Sequence, residues 1–255
     1  MGDAAIELRG VRKAFGDTVA VEGTDLTVPT GAFFGLVGRN GAGKSTTLRM
    51  TTGLLRPDAG DIVVAGHDVW ADPQTAKAAM GVMTDDVQVF DHLTGAEFLL
   101  YVGMLRGMDR DLIVERSREL LTVMELDDAA SRYVNDYSHG MTKKVILASA
   151  LLHAPPVVFL DEPFEGVDPV STQTLETVLQ RYVEGGGTVV FSSHVLDVVE
   201  RLCDHVAMMD AGRIVASGTI DAIRGGGRLQ DAFLRALGAT GVDEEALSWL
   251  QPSSD

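Results

Sequence analysis

The segment from Gly38 to Ser45, with the sequence GRNGAGKS, constrains the fold of this chain more than any other feature. It follows a short apolar run, Phe33 to Val37, and precedes apolar residues at helical spacing as far as about Leu55. Glycines let the backbone curl so that successive N–H groups converge on an anion, and the following helix adds its positive end. A buried strand, a glycine-rich loop and a helix together predict an α/β fold with a phosphate site at the strand's carboxyl end.

The loop matches the pattern G-x-x-x-x-G-K-[ST], which binds the phosphates of ATP. In this pattern the Lys44 ammonium reaches the β- and γ-phosphates, and the Ser45 hydroxyl is a ligand of Mg²⁺. The dinucleotide pattern G-x-G-x-x-G is not met, so a Rossmann cofactor is not expected. The nucleotide-binding residues expected from this loop are Gly38, Asn40, Gly41, Gly43, Lys44, Ser45 and Thr46.

A second apolar run, Val157 to Leu160, ends in the adjacent acids Asp161 and Glu162. Neighbouring side chains in a strand point to opposite faces, so the two carboxylates can have different roles. Two acids at a strand end usually mark an exposed turn, but the phosphate loop upstream favours a catalytic interpretation. We therefore expect Asp161 to hold Mg²⁺ and Glu162 to orient and activate the water that attacks the γ-phosphate.

The pattern of apolar residues divides the chain into regions of different secondary structure. Before the loop, apolar and polar residues alternate, which predicts antiparallel strands. After residue 152, short apolar runs alternate with helical patterns, which predicts a largely parallel sheet. Residues from about 93 to 152 look almost entirely helical and are too many for one crossover, so we expect an inserted helical subdomain. Gly225-Gly226-Gly227 resembles a linker, which predicts an ATP-binding domain at 1–224 and a short extension at 225–255.

Several further segments occur in the order typical of one protein family. They are Phe15 before Gly16, Tyr137-Ser138-His139-Gly140-Met141, Leu160-Asp161-Glu162-Pro163, Gly166-Val167-Asp168-Pro169 and Ser192-Ser193-His194. With the phosphate loop, they resemble the ATPase subunit of an ABC transporter over nearly the whole chain. The resemblance implies a P-loop NTPase fold, with a RecA-like parallel sheet core, an N-terminal antiparallel β subdomain and the inserted helical subdomain.

The same resemblance implies roles for the matching residues. Phe15 would stack on adenine, Asp168 would lie in the D-loop, and His194 would be the switch histidine beside the γ-phosphate. Ser138 and Gly140 stand in the signature segment and would form a second anion site at a helix N-terminus. In the family this site closes over ATP bound by a partner, so the resemblance implies a head-to-tail dimer with a second ATPase subunit. Closure would follow from the higher affinity of the closed state for ATP.

Two segments depart from the family pattern. Asp85 stands where the family carries a glutamine, and it could still meet Mg²⁺ or its water although a carboxylate donates no hydrogen bond. In the signature, Tyr137, His139 and Met141 replace the commoner leucine, glycine and glutamine. Similar signatures and an acid at the glutamine position occur in exporters whose permease is a separate polypeptide. The resemblance therefore implies an integral membrane permease as the partner.

Composition narrows the choice of partners and compartment. A net charge of −16 repels nucleic acid phosphates, so no nucleic acid partner is expected. No apolar run approaches the roughly 20 residues that span a bilayer, and the N-terminus lacks signal-peptide features. We therefore expect a cytoplasmic protein, and the resemblance to ABC exporters implies that it is peripheral on the cell membrane and powers export. Two alternatives remain open: a soluble ABC ATPase without a transport role, and a regulatory ATP-binding subunit with weak hydrolysis.

Overall fold

Two β-sheets form the scaffold in the computed structural model, which describes residues 4–84 and 92–238. The strands are β1 (Ala4–Phe15), β2 (Thr18–Pro29), β3 (Phe33–Gly38), β4 (Ala59–Val64), β5 (His67–Asp68), β6 (Met80–Met83), β7 (Val157–Leu160), β8 (Thr188–Ser193), β9 (His205–Asp210) and β10 (Arg213–Thr219). The helices are α1 (Lys44–Thr51), α2 (Pro73–Ala78), α3 (Gly95–Leu105), α4 (Arg110–Val123), α5 (His139–Leu151), α6 (Pro169–Glu184), α7 (Leu196–Leu202), α8 (Ile220–Arg224) and α9 (Leu229–Ala236).

The first sheet is antiparallel, in the order β2-β1-β4-β5, and it agrees with the alternating N-terminal pattern. The second sheet has the order β10-β9-β3-β8-β7-β6. In it β3 pairs in parallel with β8 and β9, and β7 pairs in parallel with β8 and β6. Every residue of β3 and β7 is buried, as expected for central strands of a parallel sheet covered on both faces.

The predicted fold class is confirmed, with two differences of detail. The helix after the loop ends at Thr51 rather than near Leu55, because Gly53 takes a left-handed conformation with φ +69° and donates its N–H to Met50. The second sheet is also mixed, because β10 pairs antiparallel with β9. A tight turn through Ala211 and Gly212, both at positive φ, reverses the chain there.

Helices α3, α4 and α5 lie between β6 and β7 in the chain and form the helical insertion. Thr94 caps α3 in a capping box, in which the Glu97 side chain accepts the Thr94 N–H and the Thr94 hydroxyl accepts the Glu97 N–H. The α3–α5 block shares one hydrophobic core with the second sheet. Helix α5 contacts β6, which pairs with β7, the strand that precedes the acids.

The glycine-rich stretch near residue 225 is a helix cap between packed helices. Gly225 ends α8 in a left-handed conformation with φ +59°. The next helix, α9, packs against α7 and buries Leu229 completely, and the Leu229 N–H donates to Glu200 Oε2 at 3.1 Å. Helix α9 therefore packs on the helices that precede it. The boundary between an ATP-binding domain at 1–224 and an extension at 225–255 stays a prediction.

Candidate nucleotide-binding and hydrolysis site

The carboxyl ends of neighbouring parallel strands bring the predicted residues to one edge of the second sheet. β3 ends at Gly38 where the loop begins, β7 is followed by Asp161 and Glu162, and β8 is followed by His194. Because β8 pairs with both β3 and β7, these three strand ends are adjacent. Ligands of open α/β sheets bind at this edge, since loops from several strands converge there.

The loop needs glycine at two positions for steric reasons. A Cβ on Gly38 would lie 2.3 Å from the backbone oxygen of Met209, and one on Gly43 would lie 2.5 Å from the backbone oxygen of Ala20. Gly43 also has φ +104° immediately before α1, a conformation that disfavours other residues. The loop is therefore pressed between β9 and β2, which fixes the direction of its N–H groups.

A cavity of about 270 Å³ lies on this loop. It is lined by Ala20, Asn40, Gly41, Ala42, Gly43, Lys44, Ser45, Thr46, Glu162 and Glu165. The buried Lys44 ammonium donates to the Gly38 oxygen at 2.9 Å and to the Arg39 oxygen at 3.4 Å. It also lies 3.5 Å from Glu162 Oε1. The loop thus places the Lys44 ammonium in a cavity that is lined mostly by the loop itself.

Asp161 is a buried carboxylate held by two hydroxyls. Ser45 Oγ donates to Asp161 Oδ1 at 3.0 Å, and Ser192 Oγ donates to the same oxygen at 2.5 Å. Ser192 also accepts the Glu162 N–H at 3.0 Å, so one buried serine orients both acids. The sequence analysis noticed Ser192 only as part of a strand end. The signal that could have identified Ser192 is a small polar residue near the end of an apolar strand, here β8, which pairs with β7.

Glu162 lies between two basic side chains. Its Oε2 is 3.1 Å from His194 Nδ1, and its Oε1 is the oxygen that lies near the Lys44 ammonium. Its backbone has φ +44°, an unusual conformation for a residue with a Cβ. Such conformations cost on the order of 1–3 kcal/mol and cluster at functional sites. The carboxylate is largely buried while His194 is exposed, so the pair lies at the mouth of the cavity.

The signature and D-loop residues lie at two helix N-termini that pack on each other. Ser138 caps α5 and accepts the Met141 N–H, and Asp168 caps α6 and accepts the Ser171 N–H. The bond from the Ser171 N–H holds the pKa of the Asp168 carboxyl below its usual value. A Cβ on Gly140 would lie 2.8 Å from Ser171 Oγ and 3.0 Å from Asp168 Oδ2, so a larger residue would have to displace these two side chains.

The remaining predicted residues lie apart from the loop cavity. The cavity lining contains none of Phe15, Ser138, Gly140 and Asp168. Phe15, at the end of β1, is half-exposed, with the Lys13 ammonium 5.7 Å from its ring centroid. Asp58 accepts hydrogen bonds from Lys13 Nζ and from the backbone N–H beside Phe15, both at 2.7 Å. Asp85 lies outside the described residues.

The fold and the site define a P-loop ATPase. A family model described as "ABC transporter" matches residues 21–165. The daunorubicin/doxorubicin resistance ATP-binding protein DrrA of Streptomyces peucetius is 40% identical over 86% of this chain and 67% of its own. The Nod factor export ATP-binding protein I of Rhizobium sp. (strain N33) is 37% identical over 88% of this chain and 73% of its own.

Solved structures agree with these relatives. The structure of an ATP binding subunit of an ABC transporter superposes with a TM-score of 0.85 at 28% identity, covering 91% of this chain and 99% of that one. The dimeric ATP-binding cassette MJ0796 bound to ADP and Pi has the same fold, with a TM-score of 0.77 at 22% identity over 84% of this chain and 98% of that one. The chain therefore belongs to the ABC transporter family, and the relatives that it matches there are ATP-binding proteins.

Proposed function

We propose that this protein binds ATP with Mg²⁺ on the loop from Gly38 to Ser45 and hydrolyses it with Glu162 as the base. The observation that carries the proposal is the position of the Glu162 carboxylate, 3.5 Å from the Lys44 ammonium and 3.1 Å from His194 Nδ1. Lys44 would bind the β- and γ-phosphates, which places the γ-phosphate beside Glu162. Glu162 would then accept the proton of the attacking water, and His194 would hold that carboxylate in place.

The described donors suit Mg²⁺. Ser45 and Asp161 offer a hydroxyl and a carboxylate oxygen whose atoms lie 3.0 Å apart, and Mg²⁺ prefers such oxygen ligands. When bound, Mg²⁺ neutralises charge that develops on the phosphate oxygens. Ser192 keeps the Asp161 carboxylate oriented through its bond to Oδ1. We propose Asp85 as a further contributor to this metal shell.

We further propose that two subunits enclose ATP head to tail. Ser138 and Gly140 begin α5, and neither of them lines the cavity of their own chain. The N-terminus of this 13-residue helix is suited to a phosphate of ATP bound by a second subunit. Asp168, which packs beside Gly140, would lie at the same interface. Phe15 would stack on the adenine of the ATP that its own chain binds.

The structure also offers a surface suited to a permease. An open groove of about 560 Å³ lies between the end of α1, α2, β6 and the end of α3. Its rim exposes the large apolar side chains of Leu54 and Leu105, with Met104 exposed on the same helix. Met80 and Val82 of β6 also line the groove. An amphipathic cytoplasmic helix of an integral membrane permease would cover these side chains.

Export is the transport direction that the relatives support, since they are named for drug resistance and for Nod factor export. Among residues 4–84 and 92–238, no helix has the length and apolar character needed to cross a membrane. We therefore propose that the protein works at the cytoplasmic face of the cell membrane, bound to a separate permease.

The test of the site is Glu162→Gln. We expect this variant to bind ATP with parental affinity, to lose most turnover and to accumulate an ATP-bound dimer, because only proton acceptance is removed. Nucleotide binding, phosphate release and light scattering measure the three effects. Glu165→Gln, which alters the neighbouring carboxylate at the cavity rim, is the matched control and should retain turnover. Parental turnover in Glu162→Gln would contradict the proposal.

The test of the partner is co-purification from membranes. Leu105→Glu places a charge in the groove at a position remote from the loop. We expect it to release the protein from detergent-solubilised permease while ATP hydrolysis by the isolated subunit is preserved. Leu234→Glu, a matched change at an exposed apolar residue of α9, should leave the complex intact. Equal retention of both variants on the permease would refute the assignment of the groove.

A further inference from the structure

Lys143 is a buried lysine on α5, the helix that Ser138 caps. Only 6% of its surface is exposed, and its ammonium donates to the backbone oxygen of Glu162 at 3.2 Å. We propose that Lys143 is a positioning residue through which the helical insertion sets the geometry of the Glu162 carboxylate. This inference rests on the proposed role of Glu162 as the base.

The Glu162 backbone needs support because its φ is +44°. Its N–H donates to Ser192 Oγ at 3.0 Å, and its oxygen accepts from Lys143 Nζ and from the Glu165 N–H, both at 3.2 Å. A residue with a Cβ keeps such a conformation only when its surroundings hold it there. Of these three partners, Ser192 and Glu165 belong to the strand and loop regions, and Lys143 alone belongs to the helical insertion.

Helix α5 joins Lys143 rigidly to the signature segment. Lys143 follows Ser138 by five positions, which is about 7.5 Å along a helix at 1.5 Å per residue. The helix is buried along most of the stretch from Lys143 to Ala150, so it moves as a packed unit. A displacement of its N-terminus by bound phosphate would therefore move the Lys143 ammonium relative to the Glu162 oxygen. The base would be aligned only when the insertion takes one orientation.

Lys144 gives a matched comparison on the same helix. It is equally buried, at 5% exposure, but its ammonium pairs with Glu125 Oε2 at 3.0 Å. Glu125 also accepts from the Thr174 hydroxyl at 3.2 Å. The Lys144 ammonium lowers the pKa of the Glu125 carboxyl, as expected for a formed ion pair. Lys144 thus supports the packing of α5 and makes no contact with Glu162.

The experiment compares Lys143→Met, Lys143→Arg and Lys144→Met in the full chain, with kcat and KM for ATP measured at saturating Mg²⁺. We expect Lys143→Met to lower kcat by about 10- to 100-fold, the loss typical of a misplaced catalytic group. KM should change by no more than about twofold, because Lys143 does not line the loop cavity. Lys143→Arg, which keeps a donor, should recover most of kcat, and Lys144→Met should lower Tm while leaving kcat near the parental value.

A double-mutant cycle separates positioning from general loss of structure. If Lys143 acts through the Glu162 carboxylate, Lys143→Met should cause no further loss of residual turnover in a Glu162→Gln background. Suppose that Lys143→Met lowers turnover by the same factor in the parental protein and in Glu162→Gln, and that Glu162→Gln alone is impaired. This result would overturn the positioning role of Lys143 and leave Glu162 as the proposed base. Parental turnover in Glu162→Gln alone would instead refute the base and the inference together. If Lys143→Met does not fold, Lys143→Gln provides the same comparison.

Discussion

Replacing Ser192 with alanine tests how the site holds its two acids. The Ser192 hydroxyl is completely buried, donates to Asp161 Oδ1 at 2.5 Å and accepts the Glu162 N–H at 3.0 Å. Ser192→Ala removes both bonds while adding no bulk. It leaves the Asp161 carboxylate with Ser45 as its remaining described hydroxyl donor, and it leaves the strained Glu162 backbone without a partner for its N–H.

The size of the effect follows from these two bonds. A hydrogen bond to a charged group contributes about 1.5–3 kcal/mol, and an unsatisfied buried N–H costs about 1–3 kcal/mol. Water that enters the space would offset part of the loss, so we expect Ser192→Ala to lower the free energy of unfolding by about 3 kcal/mol. For a chain of this size that corresponds to a fall in Tm of roughly 6–12 °C.

The neighbouring serine is the matched control for this change. Ser193 is also buried in β8, but its hydroxyl accepts only the Val195 N–H at 3.0 Å among the contacts described, and it lies on the opposite face of the strand. Thermal and urea unfolding should show a loss of about 1 kcal/mol for Ser193→Ala. Phosphate release should fall strongly for Ser192→Ala only. Equal stability losses with equal turnover in the two variants would refute the reasoning.

Three further predictions follow from single contacts. Gly38→Ala should lower the free energy of unfolding by at least about 3 kcal/mol, because its Cβ would overlap a backbone oxygen. Gly41→Ala is the control, since Gly41 has φ +81° and open space around it, and it should cost only about 1–2 kcal/mol. Urea unfolding measures both values. Asp58→Asn should raise KM for ATP several-fold with kcat unchanged in steady-state assays, because Asp58 fixes the strand end that presents Phe15. Burial lowers the pKa of His153 from 6.5 to about 4, so the unfolded chain binds its proton first. Stability should therefore fall as the pH drops from 6.5 to 4, by up to about 2 kcal/mol after screening, and His153→Leu should flatten this part of the Tm profile.

The sequence by itself determined the parts of the site that depend on local geometry. The loop from Gly38 to Ser45 is recognisable because its contiguous residues must curl around one anion, with positive φ at Gly41 and Gly43. The close approach of β9 and β2, which also requires glycine at Gly38 and Gly43, is seen only in the tertiary structure. Helix caps at Thr94 and Ser138 are equally local, since each capping side chain bonds a backbone N–H only three residues away. Such short-range patterns can be recognised in the sequence, and together with the periodicity of apolar residues and the family resemblance they predicted the fold class.

Only the tertiary structure decided which distant side chains meet. Ser192 supports the two acids because β8 pairs with β7, and Lys143 reaches the Glu162 oxygen because α5 packs against the loop after β7. Neither contact has a sequence signature, since a serine in a strand and a lysine in a helix fit many environments. Their partners lie 30 and 19 residues away along the chain. Strand pairing and helix packing, which sum many weak contacts over the whole core, bring them together.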